Sequence, residues 1–100
     1  MPISIYAADA TDVRFDPDTS EFREDAALDA PVFRIRALDY FDAQLVMAHT
    51  DDAAKVRACI AKGLLAIDGD EAAAAAFLAR PRARLVNPLF RAIWDFTWGN

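Results

Sequence analysis

The chain has a single cysteine, Cys59, so no disulfide can form within it, and a reducing, intracellular environment is the simplest interpretation. It also has only three glycines and lacks the G-x-x-x-x-G-K pattern, which argues against a phosphate-cradling loop. No apolar run approaches the roughly 20 residues that cross a bilayer. Residues 1–5 (MPISI) lack the basic and apolar regions of a signal peptide. We therefore expect a complete cytoplasmic protein without a membrane anchor.

Catalytic and metal-binding side chains are equally scarce. His49 is the single histidine, and it lies at the predicted end of a helix, where a cationic side chain interacts well with the helix dipole. Asp51 and Asp52 are best explained as helix-start residues, although a metal-dependent enzyme that uses His49 with either of them stays an open alternative. A stretch beginning at Asp16 starts like a calcium loop but lacks the required glycine and glutamate. We predict no catalytic residue, no metal site and no cofactor.

Charge is unevenly distributed along the 100 residues, whose net charge is −5. Residues 1–52 hold 12 acidic and 4 basic side chains, whereas residues 53–100 hold 4 acidic and 7 basic ones. An acidic chain repels nucleic acid at long range. The basic cluster of Arg80, Arg82 and Arg84 is better explained as a connector that pairs with acidic neighbours. We therefore expect protein partners rather than nucleic acid.

The first third of the chain predicts short strands separated by turns. Alternation of apolar and polar residues indicates strands at residues 3–7, at residues 11–15 and, most clearly, at residues 32–38. Residues 16–19 (DPDT) have the composition of a turn, because proline presets φ and aspartate bonds to nearby backbone. The acidic residues 20–30 contain few large apolar side chains, and we expect a surface loop there.

The next segment predicts two amphipathic helices. Asp39 is expected to cap the first helix, which would begin at Tyr40. The predicted buried stripe of this helix consists of Phe41, Leu45 and Ala48, widened by Tyr40, Val46 and Met47. Thr50 is expected to cap the second helix. Apolar residues at helical spacing on that helix are Val56, Cys59, Ile60, Gly63, Leu64 and Ile67. Gly63 would either end this helix early or allow close packing.

Two further helices are predicted after a turn at residues 68–70 (DGD). Residues 71–80 are alanine-rich, which favours helix, and Pro81 would end it. Residues 87–88 (NP) are typical of a helix start, with asparagine at the cap and proline at the first helical position. The aromatic segment that follows is expected to be a helix that closes at Gly99.

Together these elements predict one α+β domain that is mainly α, with short N-terminal strands followed by three to four helices. Residues 1–38 would form a strand and loop segment, and residues 39–100 a helical segment. Cys59 is expected to be a small, buried apolar residue rather than a reactive thiol.

The C-terminal helix is the best candidate for a functional surface. One face, made of Leu89, Phe90, Ile93 and Thr97, is expected to pack into the core. The aromatic residues point to more than one face, and a helix that is apolar on several faces is buried on more than one side. The predicted partner-binding residues are Phe90, Trp94, Phe96 and Trp98. Whether this helix is core alone or core and interface stays open at this point.

The order of these parts resembles the tail assembly chaperones of long-tailed bacteriophages. Residues 31–38 (PVFRIRAL) match a P-x-F-x-[LIR]-x-x-L stretch of that family. Residues 85–97 (LVNPLFRAIWDFT) match its C-terminal helix, in which apolar residues, an isoleucine and a final Phe-Thr pair recur. The similarity extends loosely over residues 31–98.

This resemblance implies a non-catalytic role in the host cytoplasm. The protein would bind apolar helical segments of a tape-measure protein, keep them soluble and help to recruit tail-tube subunits. Self-association into a homo-oligomer is a further expectation. Two alternatives stay open. One is a structural protein of the tail or the head-tail junction. The other is a small phage-encoded inhibitor of a host factor, in which the acidic stretch of residues 9–29 would bind a basic surface.

Overall fold

The computed structural model describes residues 10–16, 19, 21–23 and 30–98, which form four strands and four helices. The strands are β1 (Ala10–Asp16), β2 (Glu21–Arg23), β3 (Val32–Arg36) and β4 (Leu64–Ile67). The helices are α1 (Tyr40–Ala48), α2 (Asp52–Gly63), α3 (Glu71–Ala79) and α4 (Ala83–Thr97). Helix accounts for 57% of the described residues and strand for 24%, so the predicted α+β, mainly α class is confirmed.

The four strands form one antiparallel sheet in the order β2-β1-β3-β4. Alternation along β3 buries Phe33 and Ile35 and leaves Arg34 on the exposed face, where it pairs with Asp12 at 3.3 Å. Helix α4 lies across β2 and β3 on the apolar face, and α3 packs beside β4. The strands predicted at residues 11–15 and 32–38 are therefore confirmed, whereas the strand predicted at residues 3–7 lies outside the described residues.

Strand β2 lies in the segment that we expected to be a surface loop. It pairs with the end of β1, so that Phe22 lies opposite Phe15. The ring of Phe22 also meets the ring of Phe33 edge-on, with centroids 5.0 Å apart. This aromatic contact explains why an acidic segment with few large apolar residues joins the sheet. The other residues between 24 and 29, and parts of the predicted turn at 16–19, lie outside the described residues.

Strand β4 corrects a second prediction, because Leu64 and Ile67 were expected to continue the second helix. Helix α2 ends at Gly63, and the next four residues pair with β3. A turn at Asp68 and Gly69, both with positive φ, follows β4. The backbone N–H of Val32 donates to the Asp68 carboxylate at 2.9 Å, which ties this turn to the start of β3. The segment 39–100 is therefore mainly helical but contributes the edge strand of the sheet.

Three helices begin at aspartate caps. The Asp39 carboxylate accepts from the backbone N–H of Asp42 at 2.8 Å, which confirms the predicted start of α1. Helix α2 is capped by Asp51, one residue after the predicted cap, Thr50, since the Asp51 carboxylate accepts from the N–H of Ala54. The corresponding cap of α3 is Asp70. The alanine-rich helix ends at Ala79, as the proline that follows predicts.

Helix α4 begins earlier than residues 87–88 predict. It starts at Ala83 without a side-chain cap, and Pro88 lies inside it. The extra turn places Leu85 and Val86 against the core, on the side of the helix that buries Leu89 and Ile93 completely. Burial of this longer apolar stripe outweighs the one backbone hydrogen bond that proline cannot donate. The helix ends at Thr97, and Gly99, the predicted end, lies outside the described residues.

The buried stripe predicted for α1 is wrong except for Val46, one of the residues expected to widen it. Ala43 and Val46 are the buried residues of this helix, whereas Phe41, Leu45 and Ala48 are exposed. The helix is apolar on nearly every side, so the three-four spacing does not select one face. Packing of α1 against α2 and the core therefore decides which face is buried.

Asp42 fixes the orientation of α1. Its carboxylate accepts from Arg36 at 3.1 Å and from Lys62 at 3.2 Å, which links β3, α1 and α2. The hydrogen bond from Arg36, followed by the one from Lys62, holds the pKa of Asp42 below its ordinary value of 3.8. The charged carboxylate therefore stabilises the fold above that value, and this stabilisation is lost as the pH falls through the lowered pKa.

Asp42→Asn is expected to lower the free energy of unfolding at neutral pH by about 0.5–1 kcal/mol, because both cations lose their partner. The difference from the wild type should shrink as the pH falls below 3.8. Urea unfolding at several pH values measures this. Asp12→Asn is the matched control, since the Asp12 side chain is 49% exposed against 23% for Asp42, and it should have the smaller effect. A pH-independent loss in Asp42→Asn would contradict the ion-pair explanation.

Candidate functional site: an apolar groove between two helices

The structure separates the four predicted partner-binding residues into two groups. Phe90, Trp94 and Trp98 lie on successive turns of α4, and their rings contact in sequence. The rings of Phe90 and Trp94 are stacked with centroids 5.9 Å apart. Phe96 lies on the other side of the helix, beside Phe22 and Ile35 of the sheet layer. The first group is therefore the part of the predicted site that can act together.

Two cavities adjoin this aromatic row. One, of about 340 Å³, lies between α2, the end of α3 and the start of α4. The other, of about 400 Å³, lies beside Phe90 and Trp94. Val56 and Asn87 line both, so the two cavities adjoin each other. We call the combined surface the α2–α4 groove, and its apolar lining residues are Val56, Ile60, Leu78, Pro81, Val86, Phe90 and Trp94.

Helices α2 and α4 approach each other closely at one point and leave cavities elsewhere along their length. Near the end of α2, Gly63 lies so close to Ile93 that a Cβ on the glycine would come within 2.5 Å of the isoleucine Cγ2. Seven residues earlier on each helix, Val56 and Val86 both line the first cavity. The helices therefore touch at one point and leave apolar side chains elsewhere only partly covered.

The dimensions of the groove suit a helix. Val86, Phe90 and Trp94 span eight residues of α4, which is ~12 Å at 1.5 Å per residue. A partner helix laid along them would place about two turns, with anchors at positions i, i+3 or i+4, and i+7, against the groove. Helix-binding grooves of this kind are lined by apolar and aromatic side chains, as this one is.

Charges of both signs border the groove. Asp52 and Arg57 of α2 lie beside the first cavity, and Arg91 and Asp95 of α4 lie beside the second. All four are exposed. Flanking charges of mixed sign contribute little affinity but can select the direction in which a partner helix lies.

Sequence reasoning missed the residues of the groove that come from outside α4. Val56 and Ile60 belong to the apolar pattern of α2, and this pattern predicts that they are core residues. It does not predict that one end of the apolar face of α2 is left partly uncovered. Leu78 and Pro81 are visible as apolar residues near a helix end. Their position beside Val86 depends on how α3 turns back towards the sheet, which no local pattern encodes.

The residues weighed for chemistry do not converge. His49 is exposed at the end of α1. Cys59 is fully buried, and desolvation raises the pKa of its thiol to about 12, which keeps it protonated and unreactive at neutral pH. Across residues 10–16, 19, 21–23 and 30–98, no group of three or more histidine, cysteine or acidic side chains is placed to hold a metal ion. No helix in this described part combines the length and apolarity needed to cross a membrane.

One arginine of the cluster around Pro81 contacts an aromatic ring. The guanidinium carbon of Arg84 lies 5.4 Å from the centroid of the Phe15 ring, in cation–π geometry. Arg80 and Arg82 are exposed. Arg84 therefore packs against the N-terminal strands through an aromatic ring.

The chain matches no protein-family model, and comparison with curated proteins and with solved structures finds no similar protein. The class that the fold defines is a two-layer α+β domain, with an antiparallel sheet covered on one face by helices. The α2–α4 groove and the exposed surfaces of this chain are therefore the features that bear on its function.

Proposed function

We propose that this protein is a non-catalytic assembly chaperone or adaptor that holds an apolar helical segment of a partner in the α2–α4 groove. The observation that carries the proposal is that two adjoining cavities between α2 and α4 are lined by partly covered apolar side chains, with Phe90 and Trp94 beside the second. The resemblance of residues 31–98 to tail assembly chaperones supports a specific version. In that version the partner is a tape-measure protein, and binding keeps its apolar helices soluble during phage tail assembly in the host cytoplasm.

The physical case for a chaperone depends on reversible burial. Val56, Val86, Phe90 and Trp94 are each half-buried, so a partner helix would remove further apolar surface from water without disrupting the core. Acidic side chains predominate in the chain as a whole, which favours solubility of a complex with an apolar partner. A shallow groove favours moderate affinity, and a chaperone must release its client when assembly proceeds.

Fluorescence titration of a labelled peptide tests the groove. The probe is a synthetic amphipathic helix of about 20 residues with leucine at the i, i+3, i+4 and i+7 positions of successive turns. Trp94→Ala and Phe90→Ala are each expected to weaken binding about tenfold or more, since aromatic anchors dominate such interfaces. A segment of a tape-measure-type coiled coil, used in the same assay, tests the specific version.

Phe96→Ala is the matched control for Phe90→Ala, because it removes the same half-buried side chain from the same helix on the side that faces the sheet, outside both cavities. It should bind like the wild type. Circular dichroism confirms that each variant is folded. Val56→Glu is a second test of the groove, because Val56 lines both cavities. Binding that is unchanged in folded Trp94→Ala and Val56→Glu would overturn the groove as the binding site.

Purified phage particles decide between the proposal and its structural alternative. A chaperone should be absent from mature particles and present in assembly intermediates. Stoichiometric amounts of the protein in mature particles would instead favour a structural protein of the tail or the head-tail junction.

A further inference from the structure

Helix α1 carries a second exposed apolar surface, away from the lining of the groove. Four large apolar side chains point to solvent from this nine-residue helix. Their exposed fractions are 65% for Tyr40, 76% for Phe41, 57% for Leu45 and 50% for Met47. We call these four residues the α1 face. Among the described elements, α2 is the one against which α1 packs extensively, so the opposite side of α1 lacks a partner element.

The α1 face is free of charge. Asp42 is the one charged residue of α1, and its carboxylate is held by Arg36 and Lys62 on the inner side of the helix. The exposed residues between the four apolar ones are Gln44 and Ala48. An uncharged surface offers no group that would select a partner of particular charge. It is well suited to pack against itself, because a two-fold interface brings identical surfaces together and would juxtapose any like charges.

The area available is close to what a small dimer needs. With aromatic side chains contributing about 150–250 Å² each when fully covered, the α1 face exposes on the order of 500 Å². The smallest stable interfaces bury about 600 Å² on each partner. Two α1 faces packed together, with the residues at their edges, therefore reach the size of a weak but specific interface.

We propose that the α1 face is a self-association surface, on which the α1 helix of a second copy of this chain packs about a two-fold axis. Leu45 lies near the middle of α1, so the axis passes close to it, and Phe41 of each copy packs towards the far end of the other helix. Dimerisation leaves the α2–α4 groove of each copy open. A dimer would thus present two grooves, and binding of a partner with repeated apolar helical segments would gain from both.

Sedimentation velocity over a range of about 5–500 µM tests self-association of the full chain, because the dimer fraction depends on protein concentration. The wild type is expected to shift from monomer to dimer within this range. Leu45→Lys and Leu45→Glu should each weaken dimerisation about tenfold or more, since like charges would meet near the axis. An equimolar mixture of the two variants should form a dimer again, because opposite charges then face each other.

Ala76→Glu is the matched control, since it adds a charge at an exposed position of α3 and should dimerise like the wild type. A wild-type protein that stays monomeric throughout, or a dimer unaffected by the Leu45 variants, would overturn the proposal. A third outcome would also overturn it: the wild type is monomeric and Leu45→Glu lowers the free energy of unfolding. That result would show that another part of the same chain covers the α1 face. None of these outcomes bears on peptide binding, so the groove and the α1 face can fail independently.

Discussion

Leu89→Ala is expected to lower the free energy of unfolding by about 3 kcal/mol, because a fully buried leucine leaves a cavity that its neighbours only partly fill. Leu89 has no exposed surface and lies on the side of α4 that faces the sheet. A domain of this size is stable by about 5–15 kcal/mol, so this one substitution removes a large part of the margin. Urea unfolding followed by far-ultraviolet circular dichroism measures the change.

Leu85→Ala is the matched control, because it removes the same atoms one turn earlier on the same helix. Leu85 is only half-buried, and we expect a loss of about 1 kcal/mol there. Near-equal losses at the two positions would contradict the burial of Leu89. They would also contradict the helix start at Ala83, which gives Leu85 its place at the edge of the core.

The parts of the fold that the sequence predicts are those set by nearby residues. The cap at Asp39 and the turn at residues 68–70 depend on side chains that bond to backbone within a few positions. The β3 strand is predicted by strict alternation of apolar and polar residues, a pattern that indicates a half-buried strand in most proteins. These features could be predicted because the physical cause lies inside the window that a sequence pattern covers.

The parts that could not be predicted depend on residues distant in the chain. Leu64–Ile67 continues the helical spacing of α2, and it becomes a strand because the edge of β3 is available to it. Residues 87–88 satisfy the rules for a helix start, but the earlier start at Ala83 buries more apolar surface. On α1, an all-round apolar composition leaves the choice of face to the packing partner. In each case tertiary contact outweighs a valid local signal.

The same division applies to the candidate site. Phe90 and Trp94 are noticeable in the sequence as aromatic residues in excess of one stripe, and they line the groove. Trp98, predicted with them, ends the aromatic row outside both cavities, and Phe96 packs towards the sheet. The other wall of the groove comes from α2 and the end of α3, and its position depends on tertiary packing that includes the close contact between Gly63 and Ile93.

Gly63→Ala is expected to lower the free energy of unfolding by about 1–2 kcal/mol, although alanine is the better helix former by about 1 kcal/mol. The added methyl group would lie 2.5 Å from Cγ2 and 2.9 Å from Cδ1 of Ile93, which is itself fully buried and cannot move aside. Steric overlap therefore outweighs helix propensity. Relief of the overlap must push α2 away from α4 at the end where they touch, so peptide binding in the groove should weaken as well.

A double-mutant cycle separates this overlap from other effects of the substitution. Ile93→Ala alone should lower the free energy of unfolding by about 3–4 kcal/mol, because it leaves a cavity. In the Gly63→Ala background the same substitution also removes the clashing atoms. The loss in the double variant should therefore be smaller than the sum of the two single losses by about 1 kcal/mol or more. Gly69→Ala is the control. Gly69 has a φ of +78°, and a Cβ added to it would meet no atom within 4 Å, so the loss from this substitution should be independent of Ile93. Additive losses at Gly63 and Ile93, or a gain in stability from Gly63→Ala, would contradict the close approach on which the shape of the groove depends.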